Sequence, residues 1–167
     1  MVTLNMHFES TRALTKNKRV ASRCILLKNE KVLLSYEENT DQWMIPGGGL
    51  EGNESLQDCC AREVVEETGI VVAPNKLFLT INEYFDDLMY INHYFTADYV
   101  RETERKLTDE ENKNGLVPKW VELNEAIDIF SKYADYEQAN PMKCGLYRRE
   151  HAALSYFKIG ILRNIIN

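Results

Sequence analysis

The segment GGLEGNESLQDCCAREVVEETGI, which runs from Gly48 to Ile70, carries the strongest structural signal in this chain. A helix would place Glu63, Glu66 and Glu67 on one face, because they are spaced at i, i+3 and i+4. Like charges at that spacing destabilise a helix unless a cation offsets their repulsion. Carboxylate oxygens suit Mg²⁺ or Mn²⁺, and these ions commonly act on phosphates. The segment therefore indicates metal-assisted phosphate chemistry.

The ends of this helix can be predicted from the residues beside the glutamates. Ser55 offers a capping hydroxyl with Asp58 three residues later, which is typical of a helix start. Gly69 suits the position after the last turn, because glycine adopts the left-handed conformation without strain. The predicted helix therefore ends near Thr68, and its core-facing side chains repeat every four residues: Leu56, Cys60 and Val64.

The rest of the chain is predicted to form strands and helices. Apolar and β-branched runs predict strands, while Pro and Gly mark their ends. The predicted elements are a hairpin of residues 19–27 with 31–36, a strand over 42–45, a hairpin of 77–85 with 88–99 about Asp86 and Asp87, a polar connection over 101–115, a strand over 116–123, a helix over 125–132 capped by Asn124, and a helix over 145–162 after Pro141.

Size and charge limit the class of protein. The chain has 167 residues and 44% hydrophobic content, which suits a single domain over residues 1–167. A formal net charge of −6 argues against a nucleic-acid polymer or a membrane surface as partner. The four cysteines form no CxxC pair, and no apolar segment has the length of a membrane span. We therefore expect a soluble cytoplasmic protein.

The fixed positions of the segment resemble the box of the Nudix hydrolase family. Gly48 is followed after five residues by Glu54, and after seven more by Arg62 and the run that ends at Ile70. Members of this family cleave nucleoside diphosphates linked to another moiety. The resemblance implies an α/β/α sandwich with a mixed, curved sheet, in which the box helix lies on one side and a C-terminal helix on the other.

The carboxylates of the box make chemical sense as a metal site. Glu63, Glu66 and Glu67 can ligate one or more divalent ions, Mg²⁺ or alternatively Mn²⁺, together with a backbone carbonyl near Gly47. Such ions polarise phosphoryl oxygens and neutralise developing charge. The competing interpretation is a solvated helix face beside an ordinary glycine loop. That interpretation does not account for the other box residues, which all stand in register.

Residues beside the carboxylates receive supporting roles from the resemblance. Arg62 would hold Glu63 or Glu54 in place by ion pairing instead of touching substrate. Gly47, Gly48 and Gly49 would let the backbone come close to the metal or to the phosphates. The general base remains open between Glu63 and a carboxylate of the polar connection. The candidates there are Glu110 and Glu111, ahead of Glu102 and Glu104, and the alternative for Glu110 and Glu111 is an exposed turn.

The expected partner is a small-molecule nucleotide. Arg23 would bind a substrate phosphate if its side chain points from the first strand into the cleft. An exposed strand arginine is the alternative. A nucleobase would stack on aromatic residues of the second hairpin, where packing in the core is the alternative: Tyr84, Phe85 and Tyr90.

Two rival functions and one question of assembly stay open from the sequence. The first rival is a non-hydrolytic nucleotide-binding or regulatory Nudix domain, although such domains often lack box glutamates. The second is a metal-free interaction module that uses the helix face. The aromatic second hairpin could also mediate a homodimer instead of packing in the core.

Overall fold

A five-stranded mixed sheet forms the centre of the molecule in the computed structural model, which describes residues 2–7, 17–85 and 88–163. From one edge to the other, its strands are β1 (Val2–His7), β7 (Ile70–Tyr84), β8 (Leu88–Glu102), β2 (Asn17–Ile25) and β6 (Gly47–Gly49). The β1–β7 and β2–β8 pairs are parallel, whereas β7–β8 and β2–β6 are antiparallel. The sheet is therefore mixed, as the resemblance to the Nudix family implies.

A smaller antiparallel sheet packs beside the first. It consists of β3 (Leu27–Lys28), β4 (Lys31–Glu37), β5 (Gln42–Met44) and β9 (Leu116–Glu122). The helices are α1 (Leu56–Thr68), α2 (Asp109–Asn114), α3 (Leu123–Ser131), a short 3₁₀ helix (Lys132–Tyr136) and α4 (Pro141–Leu162).

Two buried apolar clusters show where these helices lie. One cluster joins Cys60 and Val64 of α1 to the inner side chains of β2, β4 and β8. The other joins Phe130 of α3 and Leu154 of α4 to β4, β7 and β9. The helix that carries the glutamates and the C-terminal helix thus pack on separate cores, and the predicted α/β/α arrangement is confirmed.

The first predicted hairpin is wrong over most of its length. Residues 19–25 belong to β2, and its two edges are already occupied by β8 and β6. Within the predicted hairpin, the only segment that pairs with β4 is β3, through a tight turn at Asn29 and Glu30. Both turn residues have positive φ, 51° and 64°, which a two-residue hairpin of this hand requires.

The second predicted hairpin is present and longer than expected. Its strands β7 and β8 begin directly after Gly69 and continue to Glu102, with register shifts near Pro74 and Leu77 that absorb the irregular residues. The predicted turn at Asp86 and Asp87 lies outside the described residues. The connection predicted as irregular over 101–115 contains the short helix α2.

The two C-terminal helices begin earlier than predicted. α4 starts at Pro141, because proline suits the first helical position and the Asn140 side chain accepts a hydrogen bond from the Lys143 N–H at 3.1 Å. α3 starts at Leu123, so Asn124 is not its cap; its side-chain oxygen instead accepts from Lys158 Nζ at 2.7 Å. Strand β1 was not predicted.

The state of the cysteines and the apolar length of the helices bear on the class of protein. Cys24, Cys59, Cys60 and Cys144 all carry free thiols. Within the described ranges, no helix is long and apolar enough to cross a membrane. The cytoplasmic location and the homodimer stay predictions.

Candidate active site

Helix α1 has the ends that the sequence predicts, which fixes the register of its glutamates. At the start, the Ser55 hydroxyl oxygen accepts from the Asp58 N–H at 3.1 Å. At the end, Gly69 adopts φ 71° and its N–H donates to the Val65 carbonyl at 2.9 Å. Cys60 and Val64 are buried, so the glutamates lie on the stripe beside the core-facing side chains.

Arg62 ties the carboxylates of this segment together. Its guanidinium donates to both oxygens of Glu54, at 2.6 and 3.0 Å, and to the Gly49 carbonyl at 3.1 Å. The remaining nitrogen, Nη1, donates to Glu63 at 2.9 Å and to Glu66 at 3.0 Å. These hydrogen bonds hold the pKa of Glu54 at about 2. Arg62 is thus anchored through Glu54 while it orients two further carboxylates.

Glu67 occupies a different environment, because its side chain is buried between α1 and the sheets. One carboxylate oxygen accepts from the Ser35 hydroxyl at 2.5 Å, and the other accepts from the Gly47 N–H at 3.3 Å. Burial raises the pKa of Glu67 to about 8. A cation placed nearby would therefore stabilise the ionised form of Glu67, which burial disfavours.

The glycine strand β6 leaves room for these carboxylates. A Cβ at Gly48 would overlap the carboxyl group of Glu63. Gly47 has φ 145°, and a Cβ there would overlap the Ser22 carbonyl oxygen. Bare backbone at both positions is therefore what allows β6 to lie against α1 and β2.

A cavity of about 780 Å³ opens beside this strand. Its lining includes the carboxylates of Glu63, Glu67 and Glu111, but not Glu110. Burial raises the pKa of Glu63; the charge and hydrogen bond of Arg62 oppose this rise, and the nearby charges of Glu66 and Glu111 add to it. Of the two loop candidates, the structure thus brings only Glu111 to the cavity with the box glutamates.

Glu111 is held at the cavity by the start of α2. Its carboxylate accepts from the Thr108 N–H at 2.7 Å and from the Thr108 hydroxyl at 2.9 Å. The Thr108 oxygen in turn accepts from the Glu111 N–H, which completes a capping box. Glu102 and Glu104 do not line the cavity in the described part of the chain.

Arg23 also lines the cavity and contacts the backbone that leads into the glycine strand. Its Nη1 donates to the carbonyls of Ile45 and Gly47 at 3.2 and 3.1 Å, and its Nε donates to Asn92 at 3.1 Å. Its second terminal nitrogen, Nη2, makes no hydrogen bond to the described residues. Arg23 therefore contacts the Gly47 carbonyl from the cavity wall, and its binding of a substrate phosphate stays a prediction.

Behind Arg23 lies a buried polar network that sequence reasoning missed. Asn92 donates to Glu83 at 2.8 Å, and Arg149 donates to Glu83 at 2.9 Å and to Glu150 at 2.6 Å. The available signal was Glu83 itself, because it shares the inward-facing positions of β7 with apolar Leu79 and Ile81. A charge on a core face requires a buried partner.

Comparison with protein families matches residues 17–142 to the NUDIX domain. The chain belongs to the Nudix hydrolase family. Diphosphoinositol polyphosphate phosphohydrolase 2 of Rattus norvegicus is 30% identical over 135 residues, which are 76% of this chain and 72% of that protein. The solved NUDIX hydrolase from Nitrosomonas europaea has a TM-score of 0.59 at 25% identity, covering 82% of this chain and 90% of that one.

A further Nudix relative matches only the region around the box. The uncharacterized Nudix hydrolase YvcI of Bacillus subtilis (strain 168) is 41% identical over 51 residues, which are 30% of this chain and 32% of that protein. The chain therefore aligns with about a third of that relative's length. The predicted family is confirmed, and with it the hydrolase class.

The Nudix glutamates provide a donor set that fits a hard divalent cation. In this structure they do not converge on one point: Glu63 and Glu66 bind Arg62, whereas Glu67 faces Ser35. Accordingly, no group of three or more His, Cys, Asp or Glu side chains in the described residues is arranged to hold a metal ion. The donors are nevertheless all oxygen, and a cation would offset the cost of ionising buried Glu67.

We expect Gly48→Ala to lower kcat by at least about ten-fold with little loss of stability. The new Cβ would displace the Glu63 carboxyl group, which is the flexible end of a side chain, so the backbone need not move. Steady-state rates and urea unfolding check this. Gly49→Ala is the matched comparison with a smaller expected effect, because its Cβ would lie 3.5 Å from Arg19, an ordinary contact. Equal losses in both variants would contradict the prediction.

Proposed function

We propose that this chain is a metal-dependent hydrolase that cleaves the pyrophosphate linkage of a nucleoside diphosphate derivative, such as a nucleotide sugar, ADP-ribose or a (d)NTP. One observation carries the proposal. The box is complete, and two of its glutamates line a single cavity with the bare backbone of β6 and with Glu111. The absence of a box glutamate would have favoured a non-hydrolytic domain, but every box glutamate is present in this sequence.

Glu63, Glu66 and Glu67 would hold the metal, with the Gly47 carbonyl as a further oxygen donor. When bound, the ion, which we propose is Mg²⁺ or Mn²⁺, would polarise phosphoryl oxygens and neutralise charge that develops on them. Arg62 stays anchored to Glu54 and so keeps a fixed cation beside the ligands.

The reaction needs a nucleophile and a base. Burial raises the pKa of Cys59 to about 12, so its thiol stays protonated and we assign attack to water. The water oxygen bonds to one phosphorus, the bridging P–O bond breaks, and two phosphorylated products leave. The proton from water passes to a carboxylate, for which Glu111 and Glu63 are the candidates at the cavity.

The organic part of the substrate would contact the aromatic residues that line the cavity or pack beside it. Tyr90 lines it, and Phe85 packs edge-on against Tyr90 with ring centroids 5.6 Å apart. Tyr84 instead stacks on His7 at 4.7 Å. Of the three aromatic residues considered from sequence, Tyr90 is therefore the one we propose to contact a nucleobase.

The experiment that tests this function is a panel of pyrophosphate compounds assayed for phosphate-containing products with and without Mg²⁺. The panel comprises nucleotide sugars, ADP-ribose, dinucleoside polyphosphates, (d)NTPs and oxidised nucleotides, and the rat relative adds a diphosphoinositol polyphosphate. We expect Mg²⁺-dependent turnover of at least one compound. No turnover of any compound would contradict the proposal.

We expect Glu111→Gln to lower kcat by about 10²- to 10⁴-fold if Glu111 is the base. Glutamine at this position still completes a capping box with Thr108, so α2 keeps its start and only the carboxylate is removed. The rate on the compound turned over in the panel is the measurement. Glu110→Gln is the matched control, because Glu110 does not line the cavity. An unchanged rate in Glu111→Gln would assign the base to Glu63.

A further inference from the structure

Helix α2, which carries Glu111, is held in place by polar contacts and not by a core. None of its six residues is buried. Because no apolar side chain anchors the helix, its hydrogen bonds to neighbouring elements decide where it lies. The position of Glu111 at the cavity therefore depends on partners outside α2.

The C-terminal end of α2 is capped by the turn between β4 and β5. The Asn39 side chain donates from Nδ2 to the Lys113 carbonyl at 2.8 Å, and its backbone N–H donates to the Asn114 carbonyl at 3.0 Å. The Glu38 N–H donates to the Gly115 carbonyl at 3.2 Å. The turn thus satisfies three successive carbonyls at a helix end, where the helix itself offers no donors.

A second side-chain contact runs in the opposite direction, from the helix to the turn. Asn114 donates from Nδ2 to one oxygen of Glu37 at 3.1 Å. The other oxygen of Glu37 accepts from the Thr40 hydroxyl at 2.5 Å, so Glu37 is fixed within its own turn while it binds α2. Asn39 and Asn114 therefore form two reciprocal side-chain tethers between α2 and this turn.

The N-terminal end of α2 is fixed as well, and it leaves part of Glu111 available. The Thr108 N–H and hydroxyl both donate to the same oxygen of Glu111, Oε2. Its Oε1 accepts no hydrogen bond from any residue within 2–7, 17–85 or 88–163. The segment before this cap is joined to α1, because the Lys106 N–H donates to the Glu66 carbonyl at 3.0 Å. Glu111 thus keeps one carboxylate oxygen for a proton.

We propose that Asn39 and Asn114 are positioning residues, which hold α2 against the turn between β4 and β5 so that Glu111 acts at the cavity as the general base. This inference rests on the proposed function and deepens the role of Glu111 in it. The loss of either tether corresponds to about five-fold in an equilibrium constant. Because α2 has no buried side chain to retain it, the loss of both should undock it in a substantial share of molecules.

The variant Asn39→Ala/Asn114→Ala tests this role by two measurements. Amide hydrogen exchange in residues 111–115, measured without substrate, should become about ten-fold faster than in the wild type. On the compound turned over in the panel, kcat should fall at least about five-fold while KM stays within about two-fold, because no substrate-binding group is removed. In a Glu111→Gln background, the same pair of changes should cause no further loss of kcat, since the base that it positions is gone.

The matched control is Asn75→Ala/Asn124→Ala, which removes two exposed asparagine side chains outside the cavity and should leave exchange in α2 and kcat near wild-type values. Unchanged exchange in the Asn39→Ala/Asn114→Ala variant would overturn the tethers. Faster exchange with an unchanged kcat, or an equal loss of kcat in the Glu111→Gln background, would overturn the positioning role. A panel without turnover would contradict the proposed function separately, since exchange in α2 needs no substrate.

Discussion

Glu67→Gln is expected to lower kcat by about 10³-fold, which corresponds to about 4 kcal/mol of transition-state stabilisation. The change removes one charged oxygen of the proposed metal site but keeps the shape of the side chain. The glutamine side chain can still hydrogen-bond to the Gly47 N–H and to the Ser35 hydroxyl. The free energy of unfolding should therefore change by less than about 1 kcal/mol. Rates on the compound turned over in the panel, together with urea unfolding, measure both quantities.

The matched control is Glu125→Gln, which removes the same charge from the exposed surface of α3. It should leave both the rate and the stability near wild-type values. Near-normal turnover by Glu67→Gln would show that Glu67 is not a ligand of the catalytic ion.

Arg149→Met is expected to produce the largest loss of stability, roughly 3–5 kcal/mol. Arg149 is 6% exposed, and its removal would leave Glu83 buried without a charged partner and Glu150 with only Arg23, whose Nε lies 3.9 Å away. Chemical denaturation of the wild type and the variant measures the difference. The reason is desolvation: a buried carboxylate that loses its charged partner, as Glu83 would, must either ionise at a cost or take up a proton.

A triple variant separates charge from packing in this network. Arg149→Met/Glu83→Gln/Glu150→Gln removes the charges together and should recover most of the loss. The exposed pair of Lys31 and Glu122, 3.8 Å apart, gives the control, because Lys31→Met should cost less than about 1 kcal/mol. A triple variant as unstable as Arg149→Met would mean that lost packing is the cause.

The parts of the fold that could be predicted are those encoded locally. The ends of α1 follow from Ser55 and Gly69, whose conformations depend on neighbours within one helical turn. Its buried side likewise follows from the four-residue repeat that ends at Val64. The start of α4 was also encoded locally, by Asn140 and Pro141, but the proline was interpreted as a break instead of a first helical residue.

The parts that could not be predicted depend on contacts between distant residues. The sequence pattern predicts that β2 pairs with β4, its neighbour along the chain, yet β2 pairs with β8, about seventy residues further along. The periodicity of one strand carries no information about which partner occupies its edge. The contacts of Arg23 could not be predicted for the same reason, since Asn92 is separated from Arg23 by 69 positions.

The candidate site shows the same division. The identity of the box glutamates is a local pattern, and their family is confirmed. The place of Glu111 at the cavity, and the absence of Glu110 from its lining, depend on how α2 packs after a long connection.

Binding of Mn²⁺ to the metal-free protein, followed by electron paramagnetic resonance as loss of the free-ion signal, tests the metal site without requiring a substrate. We predict saturable binding to the wild type and to Glu125→Gln, and at least about ten-fold weaker binding to Glu67→Gln. Equal Mn²⁺ affinity in the wild type and Glu67→Gln would contradict the assignment of the box glutamates as the metal site.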